Sequence, residues 1–193
     1  RRNFIGTLIA IAHLPFFLLF LGLSALPLAL ILSFLFLGLF YSSPPLRFKV
    51  RPFFDSASNI LYALPGFFAY ALGGGTLWNS SILIAATLWC MAMHAYSAAP
   101  DIEADTKAGL QTIATKLGWR YTVLFCLFLY AMAALLIIPL SPLFGFVAGI
   151  AYVFMMAKSY KDGDLLLTKN YRYFPIINTL FGALLFFVAA FLR

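Results

Sequence analysis

The fold of this chain is decided by an uncharged apolar run at positions 24–41, which reads SALPLALILSFLFLGLFY. About 20 such residues cross the hydrocarbon core of a bilayer as one α-helix. Comparable runs lie near 4–22, 24–41, 57–77, 80–97, 120–140, 143–159 and 174–192. The runs are continuous rather than alternating, which favours helices over transmembrane strands. We therefore predict an all-α, polytopic transmembrane bundle with seven spans, forming a single membrane domain over residues 1–193.

Composition excludes the water-soluble classes of protein. The 193 residues are 64% hydrophobic and only 10% charged, whereas a soluble domain carries about 25% charged residues. The two cysteines, Cys90 and Cys126, fall inside apolar runs and lack the spacing of a metal site or a disulfide. The net charge of +7 contains no dense basic run. We expect the lipid bilayer as a partner and no nucleic acid.

Charge placement predicts the topology. Twelve of the 13 basic residues and all six acids lie at the N-terminus or in loops 42–55, 100–120 and 158–172. The turns near 22–24, 77–80 and 140–142 carry no charge. Seven spans put every charged loop on one side, which the positive-inside rule makes cytoplasmic. We expect a multi-pass protein of the plasma (inner) membrane whose active-site face is cytoplasmic.

Two further patterns concern packing. Gly145 and Gly149 have the spacing typical of close helix contacts in membranes. Aromatic residues near the ends of spans are typical of interface anchors; these are Tyr41, Trp78, Tyr96, Trp119 and Tyr121.

The densest polar segment is APDIEADTKAGLQTIATKLG at positions 99–118. Pro100 suits the first turn of a new helix and Gly109 is placed to end it. Asp101 and Asp105 are four residues apart, so they share one helix face. Two such carboxylates suit Mg²⁺, which keeps waters and adds phosphate oxygens. Acids at a helix start are also favoured by the helix dipole, and the spacing alone leaves both explanations open.

A second polar segment is YSSPPLRFKVRPFFD at positions 41–55. Its prolines favour an extended chain. In that form Arg47, Lys49 and Arg51 project to one side, as a row that could bind a diphosphate. The positive-inside bias explains the same cations without any ligand.

Acids suited to Mg²⁺ and cations suited to phosphate are thus predicted on one face of an aromatic-rich bundle, as in an enzyme that acts on lipid diphosphates. The segment at 101–118 resembles the second aspartate-rich motif of the UbiA superfamily of intramembrane prenyltransferases. YSSPPLRFK at 41–49 resembles the Tyr-to-Lys loop before the fifth helix of that superfamily. YSAAPDI at 96–102 and DSASN at 55–59 are similar to the lycopene elongase and related carotenoid prenyltransferase branch.

The resemblance implies a nine-helix fold, of which the seven spans would be helices three to nine. We therefore expect that the first two helices and the first aspartate-rich motif are absent from this sequence. The implied activity is a Mg²⁺-dependent transfer of an isoprenyl group from an allylic diphosphate to a lipophilic acceptor, such as lycopene. An aromatic or quinone precursor, or a chlorophyllide-type acceptor, remains an alternative.

The resemblance also implies roles for single residues. Asp101 and Asp105 would be catalytic and would hold the metal. The residues implied to bind the substrate diphosphate are Tyr41, Arg47, Lys49 and Lys107.

Three more polar residues are candidates for the cavity wall. Asn59 and Tyr62 share a face at the start of the third span, where they line the cavity or bond between helices. His94 lies two turns before Asp101, which allows a role as a base, a ligand or an ordinary bundle histidine.

Two non-enzymatic classes stay open at this point. A transporter or channel usually carries ionisable sites near the membrane midplane, and apart from His13 the predicted spans lack them at their centres. A non-catalytic membrane subunit would leave the two aspartates without a use.

Overall fold

The computed structural model describes residues 2–77 and 80–191, and that part of the chain is helical without any strand. This confirms the predicted all-α class. Trp78, one of the expected interface anchors, lies outside the described residues. The helices are α1 Arg2–Phe20, α2 Ala25–Ser42, α3 Phe54–Ala57, α4 Leu64–Leu72, α5 Ser80–Ala98, α6 Ile102–Lys107, α7 Ile113–Ile137, α8 Pro142–Asp162, α9 Leu167–Tyr171 and α10 Phe174–Phe191.

Four stretches of helix are long and apolar enough to cross a membrane: Ala25–Ser42, Ser81–Lys107, Ile113–Ile137 and Pro142–Asp162. The second runs from α5 through a 3₁₀ turn into α6. Large apolar side chains stay exposed along these helices and along α1 and α10, as a lipid-facing surface requires. Examples are Phe16, Leu19, Leu143, Ile150, Phe154 and Phe186.

The prediction of one continuous span over 57–77 is wrong. The chain there divides into α3, a 3₁₀ turn at Ser58–Tyr62, and α4. The Ser58 hydroxyl and the Asn59 amide both donate to the backbone carbonyl of Asp55, so side chains occupy an acceptor that a regular helix would use. Pro65 then opens α4, where its missing N–H costs nothing. Residues 55–59 therefore remain beside the loops at the end of the bundle.

The main core lies where α5, α7 and α8 pack against one another. Small residues on α5 let α7 approach closely, and both cysteines are buried there as predicted. Tyr96 was expected at the membrane interface, and that expectation is wrong. Its ring is fully buried, and its hydroxyl shares a 2.8 Å hydrogen bond with Ser159 of α8. The fully buried core includes Ala92, Ala95, Ile113, Val123, Cys126 and Met156.

Gly145 and Gly149 bring α8 close to α7. A Cβ added at Gly149 would lie 2.7 Å from the Cβ of Ala134, and one at Gly145 would lie 2.8 Å from the backbone nitrogen of Ile138. These approaches are shorter than any normal carbon contact. They confirm the close-packing role predicted from the spacing.

The three charged loops meet at one end of the bundle, which we call the polar face. The Asp55 carboxylate accepts a hydrogen bond from the backbone of Ile113, which joins the first loop to the second. The charge of Asp101 acts on Tyr171, which joins the second loop to the third. The structure thus confirms that these loops share a side, as the charge pattern predicted.

Candidate active site

The aspartate segment, residues 99–112, is built by local signals. Pro100 lies in the 3₁₀ turn Ala99–Asp101 that follows α5, and α6 begins directly after it. Gly109 has φ +69°, which glycine adopts readily. The Leu110 N–H then donates to the Asp105 carbonyl at 2.9 Å and closes the end of α6. The start and the end of this short helix are those predicted from Pro100 and Gly109.

Asp101 and Asp105 lie side by side on this segment. The charge of Asp101 acts on the Asp105 carboxylate, and the Thr112 side chain is within hydrogen-bonding reach of it. Asp101 is exposed and Asp105 is partly so. Among the described residues, neither carboxylate forms an ion pair with a lysine or arginine.

This donor set fits a hard divalent cation. Two neighbouring carboxylates without a protein counter-charge repel each other, and a bound cation would reverse that repulsion. Over residues 2–77 and 80–191, no third acid, histidine or cysteine joins them in a metal-holding group. A cation held there would take its remaining ligands from water and substrate oxygens.

The cation loop, residues 42–53, is not the extended row that its prolines suggested, and that prediction is wrong. Arg47 adopts a left-handed conformation with φ +44°, and a 3₁₀ turn spans Phe48–Val50. The N–H groups of Arg47 and Arg51 donate to Ser43 and Phe48 carbonyls at 3.0 and 2.9 Å. An extended chain outside a sheet would leave these groups without partners.

The turn changes which cations remain available. The Arg51 guanidinium donates to the Pro45 carbonyl at 3.0 Å, so it is used within the loop. Arg47 is exposed and Lys49 partly so. In the described part of the chain, neither of these two side chains is engaged in a hydrogen bond or an ion pair. The structure therefore leaves two of the three cations open to a ligand.

Lys107 is already paired. Its ammonium lies 2.6 Å from Glu103 one turn earlier on α6, and both side chains are largely exposed. Such an exposed pair contributes only about 0.2–1 kcal/mol. The pairing is therefore a weak obstacle to the predicted contact with a diphosphate.

A polar cluster forms where α2, α3 and α5 meet, and it consists of Tyr41, Asp55, Asn59 and His94. The rings of Tyr41 and His94 meet edge to face with centroids 6.5 Å apart. The Asn59 amide lies within hydrogen-bonding reach of the Tyr41 hydroxyl. His94 Nε2 is 3.8 Å from Asp55 Oδ2. Three of the predicted site residues are thus brought together. Tyr62 lies beside them, close enough to act on Tyr41, but its side chain is 64% exposed.

Asp55 is the member of this cluster that sequence reasoning missed. Its side chain is completely buried, and its carboxylate accepts the N–H groups of Ser56 at 2.8 Å and Ile113 at 2.7 Å. Burial raises the pKa of Asp55 to about 6, and the N–H donors oppose that rise. The sequence marked Asp55 only as part of the DSASN segment and gave it no role, because its partner Ile113 is 58 positions away.

An apolar cavity of about 310 Å³ opens between α5, α7, α8 and α10. Its wall holds the Tyr130 hydroxyl, which has no hydrogen-bond partner among the described residues. It also holds the Tyr152 hydroxyl, which donates to Asn178 at 2.6 Å. Most of the wall is small or aromatic, with Ala85, Ala133, Ala148, Trp89, Phe144 and Phe181 as examples.

A row of aromatic rings connects this cavity to the aspartate segment. Tyr130 stacks on Tyr152 with centroids 4.6 Å apart, and Tyr152 meets Phe174 at 6.4 Å. Phe174 stacks on Tyr171 at 5.7 Å. Burial, followed by the nearby charge of Asp101, raises the pKa of Tyr171. The polar face and the apolar interior are therefore in continuous contact.

His13, the other histidine, takes no part in these groups. Its Nδ1 lies 2.7 Å from the Ile9 carbonyl on the same helix. This local bond gives one imidazole nitrogen a partner within α1, so His13 has an ordinary structural role and is weak support for a transport site.

Comparison with protein families agrees with this arrangement. The model of the UbiA prenyltransferase family matches residues 2–170, which include the cation loop, the aspartate segment and the polar cluster. The chain belongs to the UbiA prenyltransferase family. The resemblance noted from its two motifs is thereby confirmed, and so is its character as an integral membrane protein.

The curated relatives of this UbiA chain are named for carotenoid chemistry. It is 39% identical to a lycopene elongase/hydratase of Haloarcula japonica over 95% of the chain and 62% of that relative. It is 39% identical to one of Haloferax volcanii, over 78% and 49% respectively. A Corynebacterium glutamicum lycopene elongase/hydratase is 33% identical, over 75% and 53%. The UbiA chain thus spans about half to three-fifths of these relatives. No solved structure gives a significant match.

Proposed function

We propose that this UbiA chain acts in a Mg²⁺-dependent prenyltransferase, which moves an isoprenyl group from an allylic diphosphate to a carotenoid acceptor such as lycopene. The observation that carries the proposal is a continuous arrangement. Two carboxylates without a counter-charge lie at the polar face, and the aromatic row leads from them to an apolar cavity. We propose that residues 1–193 form a single membrane domain around that arrangement.

The diphosphate end is assigned to the polar face. Asp101 and Asp105 would hold Mg²⁺, which when bound would stabilise the charge of the departing diphosphate. Arg47 and Lys49 would add positive charge from the cation loop, and Lys107 would join them by leaving its exposed pair with Glu103. The Tyr41 hydroxyl would donate a hydrogen bond to a diphosphate oxygen. These preorganised groups stabilise the leaving anion in the transition state.

The reaction also produces a cation that the apolar interior must stabilise. The allylic C–O bond breaks with its electron pair on the diphosphate, which leaves an allylic carbocation. The faces of Tyr171, Phe174 and Tyr152 can stabilise such a charge through their π-systems. The buried walls exclude water, which would otherwise trap the cation.

The composition of the cavity wall supports a carotenoid acceptor. An alkene of a polyene attacks with its π electrons, and it carries no acidic proton that must first be removed. A phenol is more reactive after ionisation, yet the described wall of the cavity contains no lysine, histidine or carboxylate that would assist it. After the C–C bond forms, the acceptor cation loses a proton to diphosphate or to His94 and gains a double bond. The names of the relatives support the same acceptor class.

We propose that the polar face is cytoplasmic and that the protein lies in the plasma (inner) membrane. The support is the charge asymmetry of the loops, because lysine and arginine accumulate on the cytoplasmic side of membrane proteins. A cytoplasmic diphosphate site would also receive its water-soluble donor directly.

The proposal is tested with the protein expressed from its complete coding sequence and reconstituted in lipid vesicles. The vesicles receive dimethylallyl diphosphate with lycopene or with a phenolic acceptor, and the products are separated chromatographically. We expect prenylated lycopene whose formation stops on chelation of divalent cations and resumes with Mg²⁺. Prenylation of the phenol alone would refute the carotenoid acceptor, and unchanged turnover under chelation would refute the metal.

A further inference from the structure

We propose that Asp55 is a positioning residue that holds the cation loop and the aspartate segment at a fixed separation. The inference rests on the proposed function, since it names the residue that assembles the diphosphate site. Asp55 itself is buried beneath both segments and need not touch the substrate.

On one side, Asp55 is attached to the cation loop. Its N–H donates to the Arg51 carbonyl at 2.8 Å, directly after the turn that carries Lys49. One carboxylate oxygen accepts the N–H of Ser56 at 2.8 Å, which fixes the side chain on its own backbone. The orientation of the second oxygen is therefore set by the loop.

On the other side, that second oxygen binds the start of α7. It accepts the backbone N–H of Ile113 at 2.7 Å. Ile113 is the first residue of the helix, where an N–H has no acceptor within the helix and where negative charge is favoured. Asp55 thus supplies from a distant loop a bond that the helix cannot make for itself.

The connection continues to the aspartate pair. Thr112, which precedes Ile113, caps α7 by accepting the Thr115 N–H at 3.2 Å, and its side chain is within hydrogen-bonding reach of Asp105. Three successive contacts therefore lead from Arg51 through Asp55 and α7 to Asp105. A shift at Asp55 would move the cations relative to the carboxylates.

The charge of Asp55 argues against a simple loop anchor. A buried carboxylate is costly unless it is well hydrogen-bonded. In the described part of the chain no lysine or arginine pairs with Asp55, and the nearby His94 ring lies 3.8 Å from its Oδ2, beyond hydrogen-bonding distance. Ser56 and Ile113 donate to different oxygens of the carboxylate. An asparagine in the same place would present an acceptor oxygen to one of them and an NH₂ donor to the other. The carboxylate is the smallest group that satisfies the two donors simultaneously.

The first test changes the acceptor side of the Asp55–Ile113 bond. In the reconstituted protein, Asp55→Asn should raise the KM for dimethylallyl diphosphate by about tenfold or more, as expected for a lost bond to a charged group. The KM for the acceptor should change by less than about twofold, because the cavity lies elsewhere. The matched control is Asp164→Asn, an exposed acid on the same face, which should leave both values unchanged.

The second test changes the donor side and does not touch Asp55. Ile113→Pro removes the N–H at a helix position where proline is tolerated, and Ile113→Val keeps the N–H with a side chain of similar size. We expect the proline variant to reproduce the rise in diphosphate KM and the valine variant to stay within about twofold of wild type. Equal behaviour of the two variants would overturn the inference, as would a loss of kcat in Asp55→Asn without a change in diphosphate KM.

A binding measurement separates this inference from the proposed function. Mg²⁺-dependent binding of inorganic pyrophosphate is titrated calorimetrically in wild type and in all four variants, and it requires no turnover. Wild type that binds pyrophosphate but prenylates nothing would refute the proposed function while the variants still test Asp55. If neither Asp55→Asn nor Ile113→Pro changed the affinity for pyrophosphate, the positioning role would be refuted, whether or not the protein shows turnover.

Discussion

Gly149→Ala should force α8 away from α7, and the size of the effect follows from one distance. The new Cβ would lie 2.7 Å from the Cβ of Ala134, whereas carbon atoms approach most favourably at about 3.5–4.0 Å. The helices must therefore separate locally by roughly 1 Å. Overpacking of this kind typically costs about 1–3 kcal/mol, and the better helix propensity of alanine returns up to about 1 kcal/mol.

Because these two contributions partly cancel, a double-mutant cycle is needed to isolate the clash. Ala134→Gly removes the obstructing methyl group, and in the double variant the small and the large residue have simply exchanged helices. The propensity changes then cancel, and we expect a favourable coupling of about 1–3 kcal/mol between the two substitutions. Gly145→Ala is the matched comparison, because its Cβ would meet the backbone of Ile138 at 2.8 Å, which no side-chain substitution can relieve.

The assay is SDS-induced unfolding of the purified protein in mixed micelles, followed by tryptophan fluorescence and circular dichroism. Gly145→Ala should be more destabilising than Gly149→Ala. A coupling energy below about 0.5 kcal/mol, the usual error of additivity, would refute the argument that contact between these two positions sets the helix distance.

Four further predictions concern the site. Asp101→Asn or Asp105→Asn should lower kcat by about 100-fold or more at unchanged thermal stability, whereas Glu103→Gln, which lies between them on the aspartate segment, should remain active. Near-normal turnover of both aspartate variants at saturating Mg²⁺ would exclude their assignment as metal ligands. Ala133→Phe points a ring into the cavity and should lower turnover of lycopene without changing the KM for the diphosphate. Ala131→Phe on the same helix is its control, and equal effects of the two variants would argue against the cavity as the acceptor site. Cysteines introduced singly at positions 141 and 168 should be labelled from opposite sides of the membrane, and position 168 should be labelled from the cytoplasm. The native Cys90 and Cys126 are buried and should not react. Labelling of position 141 from the cytoplasm would mean that the topology is inverted. The pKa of Asp55 is about 6 in the folded protein, above its unfolded value of about 3.9. Folding therefore favours the protonated carboxyl, so Asp55 stabilises the folded state below pH 4 and loses that stabilisation as the pH rises through 6. The stability of wild type relative to Asp55→Asn should accordingly fall by on the order of 3 kcal/mol between a pH well below 4 and a pH above 6. A difference that does not change with pH would mean that folding does not shift the pKa of Asp55.

What the sequence predicted well was governed by local physics. The helices follow from continuous apolar runs, since a membrane segment must satisfy its own backbone hydrogen bonds. The bounds of α6 follow from Pro100 and Gly109, whose backbone preferences do not depend on distant contacts. The same holds for Gly145 and Gly149, because close approach requires small residues one turn apart. The family resemblance, carried by the two polar segments, is likewise local.

What the sequence did not predict depends on contacts between distant residues or on competition for one backbone acceptor. The Asp55–Ile113 bond joins positions 58 apart, and the Tyr96–Ser159 bond joins positions 63 apart. Neither pairing leaves a periodic signal in the sequence. The broken third span and the folded cation loop show the second cause. In the span, side chains bind a carbonyl that a regular helix would use for its own backbone, and in the loop, turns bind carbonyls that an extended chain would leave without a backbone partner. Roles assigned to Asp101, Arg47 and the other site residues remain predictions until the variants are measured.

The cost of charge in a bilayer supports placing the two proposed substrates on different elements. Carboxylates and cations are expensive at the membrane centre, so the groups proposed for the diphosphate lie on short segments at the polar face. The cavity proposed for the acceptor opens between α5, α7, α8 and α10, and its described wall contains no charged side chain. Among the described residues, Asp55 is the acid whose side chain is fully buried, and the N-terminus of a helix supplies the donor that this burial requires. Substitutions in the cavity wall should consequently change which acceptor is used while the diphosphate chemistry at the polar face stays the same.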